Sequence, residues 1–546
     1  MQLRSTLRFF ALVCLLAAQT GAPGDATLAA EQPKAARPNI VVILVDDMGY
    51  SDLGCYGSEI ETPNLDRLAA NGVRFTQFYN TARCCPTRAA LLTGLYQHQA
   101  GIGHMTRNDG LPGYQGYLND RCVTLAEALK PAGYTTLMVG KWHVGGQPGQ
   151  WPLDRGFERY WGTPTGGGVY FKDTLKIRRS IFFVADNQRV EPPDDMYVTD
   201  TFTDRAIEFV DAAVKQGQQP FFLYLAHIAP HFPLQAKPSD IAKYKGRYDI
   251  GWDAVRQQRF ERQKKLGIVP PDAQLSPRDP EAKPWDEMSA EEKAALAHRM
   301  EIYAAQIDCI DQNVGRLINK LQELNQLENT LIVFLSDNGC SAEGGPGGFN
   351  RGQPDAPIGT ALSYSSLGLQ WANVADTPLR KFKISTHEGG ISTACIAHWP
   401  AAIKPGRLVN QPAHVIDVMP TLLDVAGATY PSQRNGKKVL PPEGISLKPW
   451  LLAEDAGPAG KLRPLFWEHM GNKAVRLGDW KAVADFRHDW KLYNLANDRI
   501  ESENLADKHP EKLQELVALW NDWAKRCGVV NWNRIQRIRR NAENAQ

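Results

Sequence analysis

The sequence predicts an α/β protein: a large mixed, mostly parallel sheet flanked by helices, then a smaller C-terminal antiparallel sheet with a helix. Three observations carry this. Four apolar runs are continuous rather than alternating, as in strands buried on both faces. Amphipathic segments with start and stop signals separate them, the alternation of an α/β fold. At 546 residues the chain exceeds one average core, which calls for a large domain and a minor one.

Residues 1–30 read as a secretory leader. Arg4 and Arg8 precede the apolar run Phe9 to Ala18, too short for a membrane anchor, and small residues continue to Ala30. Export to the periplasm or the extracellular space is the expectation. The large domain is expected over 38–455. Its first strand, Asn39–Val45, ends in Asp46-Asp47. Thr62-Pro63 opens a helix carrying Leu65, Leu68 and Ala69, which Gly72 closes. Cys84–Gly94 reads as a helix with Pro86 in its first turn, where a missing N–H costs nothing, and Gly94 at its stop. Thr124 and Glu127 form a capping box. Thr135–Gly140 is a strand ending in Lys141-Trp142-His143, and Pro220–Ala226 is another, ending near His227 and His231. Ser289 and Glu292 cap a long helix reaching about Leu327, and Leu331–Ser336 ends in Asp337-Asn338.

Two segments interrupt this order. Lys237–Pro284 is polar and charged, either a lid or a solvated helical excursion. Ser341–Ala375, rich in Gly and Ser, is too long for an idle loop and is expected to shape a pocket. Over 460–546, Pro464–Trp467 and Asp479–Val483 predict short antiparallel strands, and Pro510–Lys525 a helix, giving a small α+β domain.

Composition narrows the function. A net charge of +2 gives no drive toward nucleic acid or anionic membranes, and no internal run approaches a membrane span. Outside the leader's Cys14, the cysteines are scattered without repeat spacing. That is no disulfide scaffold.

The polar groups that end the four strands share one edge, because ligands in such sheets bind beyond the carboxyl ends of the strands. Asp46, Asp47, Asp337 and Asn338 offer oxygen donors only, which suits Ca²⁺ or Mg²⁺ rather than zinc. The blander reading makes each pair a turn or helix cap. Two acid pairs ending buried strands argue against it, since unpaired carboxylates there are costly. Cys84 at a helix N-terminus and Arg88 one turn on form a mouth for an anion. A helix-start cysteine beside an ordinary surface arginine is the alternative.

Cys84-Cys85-Pro86-Thr87-Arg88, running to Leu92-Thr93-Gly94, matches the Cys-x-Pro-x-Arg…Leu-Thr-Gly signature of the type I sulfatases. Val45-Asp46-Asp47-Met48-Gly49, Gly140-Lys141-Trp142-His143, Ala229-Pro230-His231, Ser336-Asp337-Asn338-Gly339 and Lys383 before His387-Glu388-Gly389-Gly390 accompany it in family order. The chain resembles this family over nearly its whole mature length, particularly the bacterial arylsulfatases, within the alkaline-phosphatase-like superfamily. The resemblance implies that a formylglycine-generating maturation enzyme converts Cys84 to Cα-formylglycine. It implies one calcium ion, with magnesium second, held by Asp46, Asp47, Asp337, Asn338 and the modified Cys84. The substrate would be an aryl, alkyl or carbohydrate sulfate ester. The aldehyde hydrate would attack sulfur while Lys141 and Arg88 hold it. His231 and Lys383 would serve the departing alcohol, and His143 would deprotonate the second hydroxyl.

Two rivals accompany that reading: a phosphonate monoester or phosphodiester hydrolase of the same superfamily, and a non-catalytic binder of sulfated glycans. No nucleic-acid partner and no stable membrane anchor are expected, and the oligomeric state is left open. His227 reads as a packed strand-end residue, His104 as a candidate pocket wall, Cys85 as buried, and Trp520 and Trp523 as core.

Overall fold

Eleven strands form the main sheet of the computed structural model, which describes residues 37–217, 220–453 and 463–544. The leader and the expected boundary at 455–460 lie outside the described residues. The strands are β1 (Asn39–Asp46), β2 (Val73–Tyr79), β3 (Thr135–Lys141), β4 (Arg159–Thr163), β5 (Phe183–Ala185), β6 (Gln188–Val190), β7 (Phe221–Pro230), β8 (Thr330–Ser336), β9 (Ser392–His398), β10 (Arg407–Val409) and β11 (Ala413–His414). Their order is β10-β2-β9-β8-β1-β7-β3-β4-β5-β6, with β11 also paired to β2. The central block β8-β1-β7-β3-β4 is parallel, whereas β9 runs antiparallel between β8 and β2. All four runs expected as strands are present, and β1, β7, β3 and β8 lie side by side.

The two-residue period of a strand explains why these runs are apolar throughout. Val41, Ile43 and Val45 join Leu223, Leu225 and Phe334 in one core, while Ile40, Val42 and Leu44 join Phe222, Tyr224 and Leu335 in the other. Helices Pro63–Ala70, Val198–Lys215 and Ala290–Glu323 cover the first face. Helices Cys84–Thr93, Leu125–Leu129 and Val418–Ala426 cover the second. Both capping boxes form, with Glu127 N–H donating to Thr124 Oγ1 (3.1 Å) and Glu292 N–H to Ser289 Oγ (3.2 Å). Thr62 departs from expectation. Its hydroxyl turns to Asp66 Oδ1 (3.1 Å) and accepts from Gly54 N–H, so Pro63–Ala70 starts without a side-chain cap.

Lys237–Pro284 is neither a lid nor a solvated excursion. Its helix Gly251–Lys265 buries Trp252, Val255, Arg259 and Phe260 against the first core. Polar composition misled here because the buried positions include arginines satisfied by ion pairs rather than by water: Arg259 meets Asp52 at 2.6 Å and Glu59 at 2.8 Å.

A small ribbon, β12 (Gln433–Arg434) with β13 (Lys437–Lys438), precedes the C-terminal antiparallel sheet. That sheet comprises β14 (Pro464–His469), β15 (Asn472–Leu477), β16 (Trp480–Ala484) and β17 (Lys491–Asn494). One of its faces packs Trp467 and Val483 against Tyr79, Ala82 and Ile391. The other packs Phe466 and Val475 against Trp520 and Trp523 of helix Pro510–Cys527, so both tryptophans are core. A final helix, Trp532–Asn544, had no counterpart in the sequence reading. The described cysteines are all free and buried, Cys85 among them. Among the described residues no helix is long and apolar enough to cross a membrane.

Candidate active site

Each parallel strand delivers its polar end to one place. Asp46 closes β1, and Asp47 takes a left-handed turn (φ 69°) that aims its side chain away from the strand line. Asp337 and Asn338 follow β8, whose register sets Val45 opposite Ser336. Lys141 closes β3, placed by Gly140. A Cβ there would lie 2.0 Å from the Ala226 carbonyl at φ +112°, so only glycine lets β3 and β7 approach this closely. His143 (φ 58°) and Ala82 (φ 66°) are also left-handed, a concentration of local strain at the mouth of the sheet. Tyr303 fastens the Asp47 turn from beneath, donating to the Asp47 carbonyl (3.2 Å) and to Asp52 (2.7 Å).

Arg88 ties the two acid-bearing strands. Its guanidinium donates to Asp337 Oδ2 at 2.8 Å, to Asp46 Oδ2 at 3.3 Å and to the Lys141 carbonyl at 2.8 Å, all fully buried. Lys141 Nζ pairs with Asp46, and Lys383 Nζ with Asp47 at 2.7 Å. Asn338 Nδ2 donates to Asp47 Oδ1 at 2.6 Å, and His231 Nε2 lies 3.6 Å from Asp47 Oδ2. The sulfur atoms of Cys84 and Cys85 and a ring nitrogen of His143 lie within 4.8 Å of one another at the start of helix Cys84–Thr93. Every residue singled out for the site thus converges at one edge of the sheet. His227 stands apart, buried against Phe202. His104 stacks on His469, with ring centroids 5.4 Å apart.

The electrostatics are those of an anion site with a cation cradle. Burial works to raise the Asp46 carboxyl, but Lys141, His231 and Arg88 hold it at about 2. Burial and the Asp46 charge push Asp337 well above the usual carboxylate range, against the pull of Arg88. Hydrogen bonding with Cys85 holds the Cys84 thiol well below the usual cysteine range despite burial, helped by Lys141 and His143. Burial and Lys141 lower His143 to about 4.

The residues fit a hard divalent cation. Asp46 Oδ1 and Asn338 Oδ1 are buried and accept no hydrogen bond from the protein, while Asp47 and Asp337 add two more oxygen donors beside them. The set is oxygen-only, as Ca²⁺ or Mg²⁺ requires, and a cation between the strands would relieve the Asp46–Asp337 repulsion.

Sequence reasoning missed a second ring of residues. Arg83, immediately before Cys84, pairs with Glu343 at 2.9 Å, and Glu343 lies 3.8 Å from Lys383. Its position beside the signature cysteine was the available signal. Ser341–Ala375 brings Phe349 and Tyr364 against Phe232, at 5.2 and 6.0 Å between centroids, making an aromatic wall next to His231.

Comparison with known proteins places the chain in a family. A family model described as Sulfatase matches residues 38–428. The chain is 36% identical over 542 residues to an uncharacterized sulfatase of Schizosaccharomyces pombe, covering 92% of this chain and 96% of that one. It is 37% identical over 428 residues to an arylsulfatase of Klebsiella aerogenes, covering 75% and 91%. Among solved structures, Ps i-CgsB in complex with k-i-k-neocarrahexaose superposes with a TM-score of 0.67 at 27% identity, covering 89% and 93%. The chain belongs to the sulfatase family. It is an enzyme that hydrolyses sulfate esters.

Proposed function

We propose that the protein releases inorganic sulfate from a sulfate monoester using an oxidised Cys84 and one calcium ion held by Asp46, Asp47, Asp337 and Asn338. The observation that carries the reading is the buried oxygen cradle, in which Asp46 Oδ1 and Asn338 Oδ1 lack protein partners at the foot of the Cys84 helix. Calcium held by these residues would supply positive charge against the three carboxylates and a Lewis acid for the sulfate group; magnesium, which demands tighter octahedral geometry, is the second choice. Cys84, once converted by a maturation enzyme to formylglycine, would supply a hydrated aldehyde: one hydroxyl as the nucleophile toward sulfur, displacing the alcohol oxygen, and the second, on deprotonation, as the group that re-forms the aldehyde and releases sulfate.

The remaining work falls to the encoded side chains. Arg88 orients Asp46 and Asp337 rather than meeting solvent, because its donors are engaged with them and with the Lys141 carbonyl. Lys141 and Lys383 bring buried ammonium groups to the rim of the cradle, where they favour a sulfate anion over neutral esters. His231, with Nδ1 on the Phe232 carbonyl (2.6 Å) and Nε2 toward the site, donates a proton to the departing alcohol oxygen, assisted by Lys383. His143, beside Cys84, accepts the proton of the second hydroxyl. The alcohol portion is an aryl, alkyl or carbohydrate group; relatives named arylsulfatase and N-acetylgalactosamine-6-sulfatase support both ends of that range. The leader supports export to the periplasm or beyond, which cell fractionation would test.

Two measurements test this reading. Mass spectrometry of the peptide spanning Cys84 from active protein should show an aldehyde in place of the thiol. Cys84→Ser should stall as a sulfated enzyme or lose turnover, since a serine sulfate has no second hydroxyl; full multiple turnover in that variant would refute the role. Faster turnover of an aryl phosphonate monoester than of an aryl sulfate would favour the rival superfamily reaction.

A further inference from the structure

The last helix of the chain, Trp532–Asn544, presents a cationic surface that the proposed chemistry does not use. Arg534, Arg537 and Arg540 are exposed and form no ion pair with any described acid. Arg487 reaches the same helix through Asn533 (3.3 Å) and is also exposed. Nearby acids are engaged elsewhere: Asp109 meets Arg539, and Glu543 meets Arg107 at 3.1 Å.

The helix adjoins the active site. Arg539 Nη2 lies 3.0 Å from His104 Nδ1, and the Trp532 ring centroid is 4.8 Å from that of His104. His104 is within electrostatic reach of Arg83 and Cys84, and its neighbour Met105 touches the Cys85 sulfur at 3.7 Å. His104 and Met105 therefore lie between the cationic helix and the start of the Cys84 helix. Its apolar face is already spent, because Trp532 and Ile535 are buried with Tyr114. A helix in that state cannot insert into a bilayer, which needs a free apolar face. What it offers the solvent is a row of guanidinium groups, whose fork geometry suits sulfate oxygens.

We propose that this surface binds the anionic strand of a sulfated polysaccharide, so that neighbouring sulfates rest on Arg534, Arg537 and Arg540 while one ester enters the site. The inference rests on sulfate-ester hydrolysis at Cys84 and narrows the substrate from any sulfate ester to a polyanionic glycan.

The test compares the full-length matured enzyme with the triple variant Arg534→Ser, Arg537→Ser, Arg540→Ser. These residues are exposed and lie outside the catalytic machinery, so kcat/KM for p-nitrophenyl sulfate should be unchanged. Fluorescent dextran sulfate should bind the parent and inhibit that turnover, both effects weakening with added salt. In the variant, binding and inhibition should each weaken about tenfold, with a flatter salt dependence. Unchanged dextran sulfate affinity in the variant overturns the proposal. So does binding that leaves p-nitrophenyl sulfate turnover untouched, or anionic phosphatidylglycerol vesicles or duplex DNA binding the parent as tightly. A parent that binds dextran sulfate but turns over no sulfate ester counts against the catalytic reading and leaves the surface intact.

Discussion

Arg88 donates to both Asp46 and Asp337 and Lys141 pairs with Asp46, yet burial and the Asp46 charge still push Asp337 well above the usual carboxylate range. The residual repulsion is what a divalent cation removes, so the metal-free protein should be less stable as well as inactive. Removing the metal with a chelator should lower Tm by about 3 °C relative to protein in hundredfold excess over its Kd, and added Ca²⁺ should restore both Tm and activity. Asp337→Asn keeps an oxygen donor but removes one negative charge from the cation set, and the repulsion with it. Its kcat should fall by on the order of 100-fold, and its Tm should respond less to chelator than the parent's. Differential scanning fluorimetry with and without chelator checks both outcomes. At this scale the sequence was informative: Asp46, Asp47, Asp337 and Asn338 were each identifiable as oxygen donors ending apolar runs. Arg83 offered only its place beside Cys84, and Glu343 offered no signal, because an ion pair has no pattern until two distant loops meet.

Among the elements, helix Gly251–Lys265 shows how a charged segment becomes structural. Arg259 is fully buried between Asp52 and Glu59, and Asp52 in turn holds Gly49 N–H (2.7 Å) and the Tyr303 hydroxyl under the Asp47 turn. Replacing Arg259 with Met leaves two acids buried without their partner. The expected cost is about 4 kcal/mol by denaturant unfolding, with a loss of turnover because the Asp47 turn loosens. An unchanged midpoint would mean that the helix is not the buttress described. Nothing in the linear order of these residues foreshadows that pairing. A run such as Arg259-Phe260-Glu261-Arg262 has one reading in water and another when acids from an earlier loop are folded onto it. The long apolar strands carried no such ambiguity, since burial on both faces was written in their lack of alternation.

Across the molecule, the C-terminal sheet is joined to the catalytic part by buried charge. Lys481 of β16 lies 2.9 Å from both Glu388 and Glu501, and His387 Nδ1 lies 2.9 Å from Glu501, with Asp485 at 3.5 Å from Nε2. Glu388 begins the short helix that follows Lys383 and accepts from Tyr79 (2.9 Å), on the strand that leads to Cys84. The network thus braces both sides of the site. Burial works to lower His387, but Glu501 and Asp485 raise it above its ordinary value. Its contribution to stability is complete below about pH 6.5 and is lost as pH rises through the raised folded value. The His387 hydrogen bond lowers Asp485; burial works to raise Glu501, but His387 and Lys481 lower it, so their contributions are lost only in acid. The network should be strongest between about pH 5 and 6.5. His387→Gln should cost about 3 kcal/mol in that window and flatten the fall of Tm on its alkaline side. A parallel Tm–pH curve for parent and variant would remove His387 from the account.

The sequence by itself determined the sheet, the order of its central motifs and the chemical types gathered at its edge. Apolar continuity, glycine and proline punctuation and the Cys84 signature are local properties that need no partner to be read. Only the tertiary structure decided which charges face each other: Arg88 between two strands, Arg259 beneath the Asp47 turn, His387 and Lys481 at the C-terminal seam, and a cationic helix beside His104. A charged side chain reads as solvated until a partner distant in sequence buries it, so those pairings exist only in three dimensions.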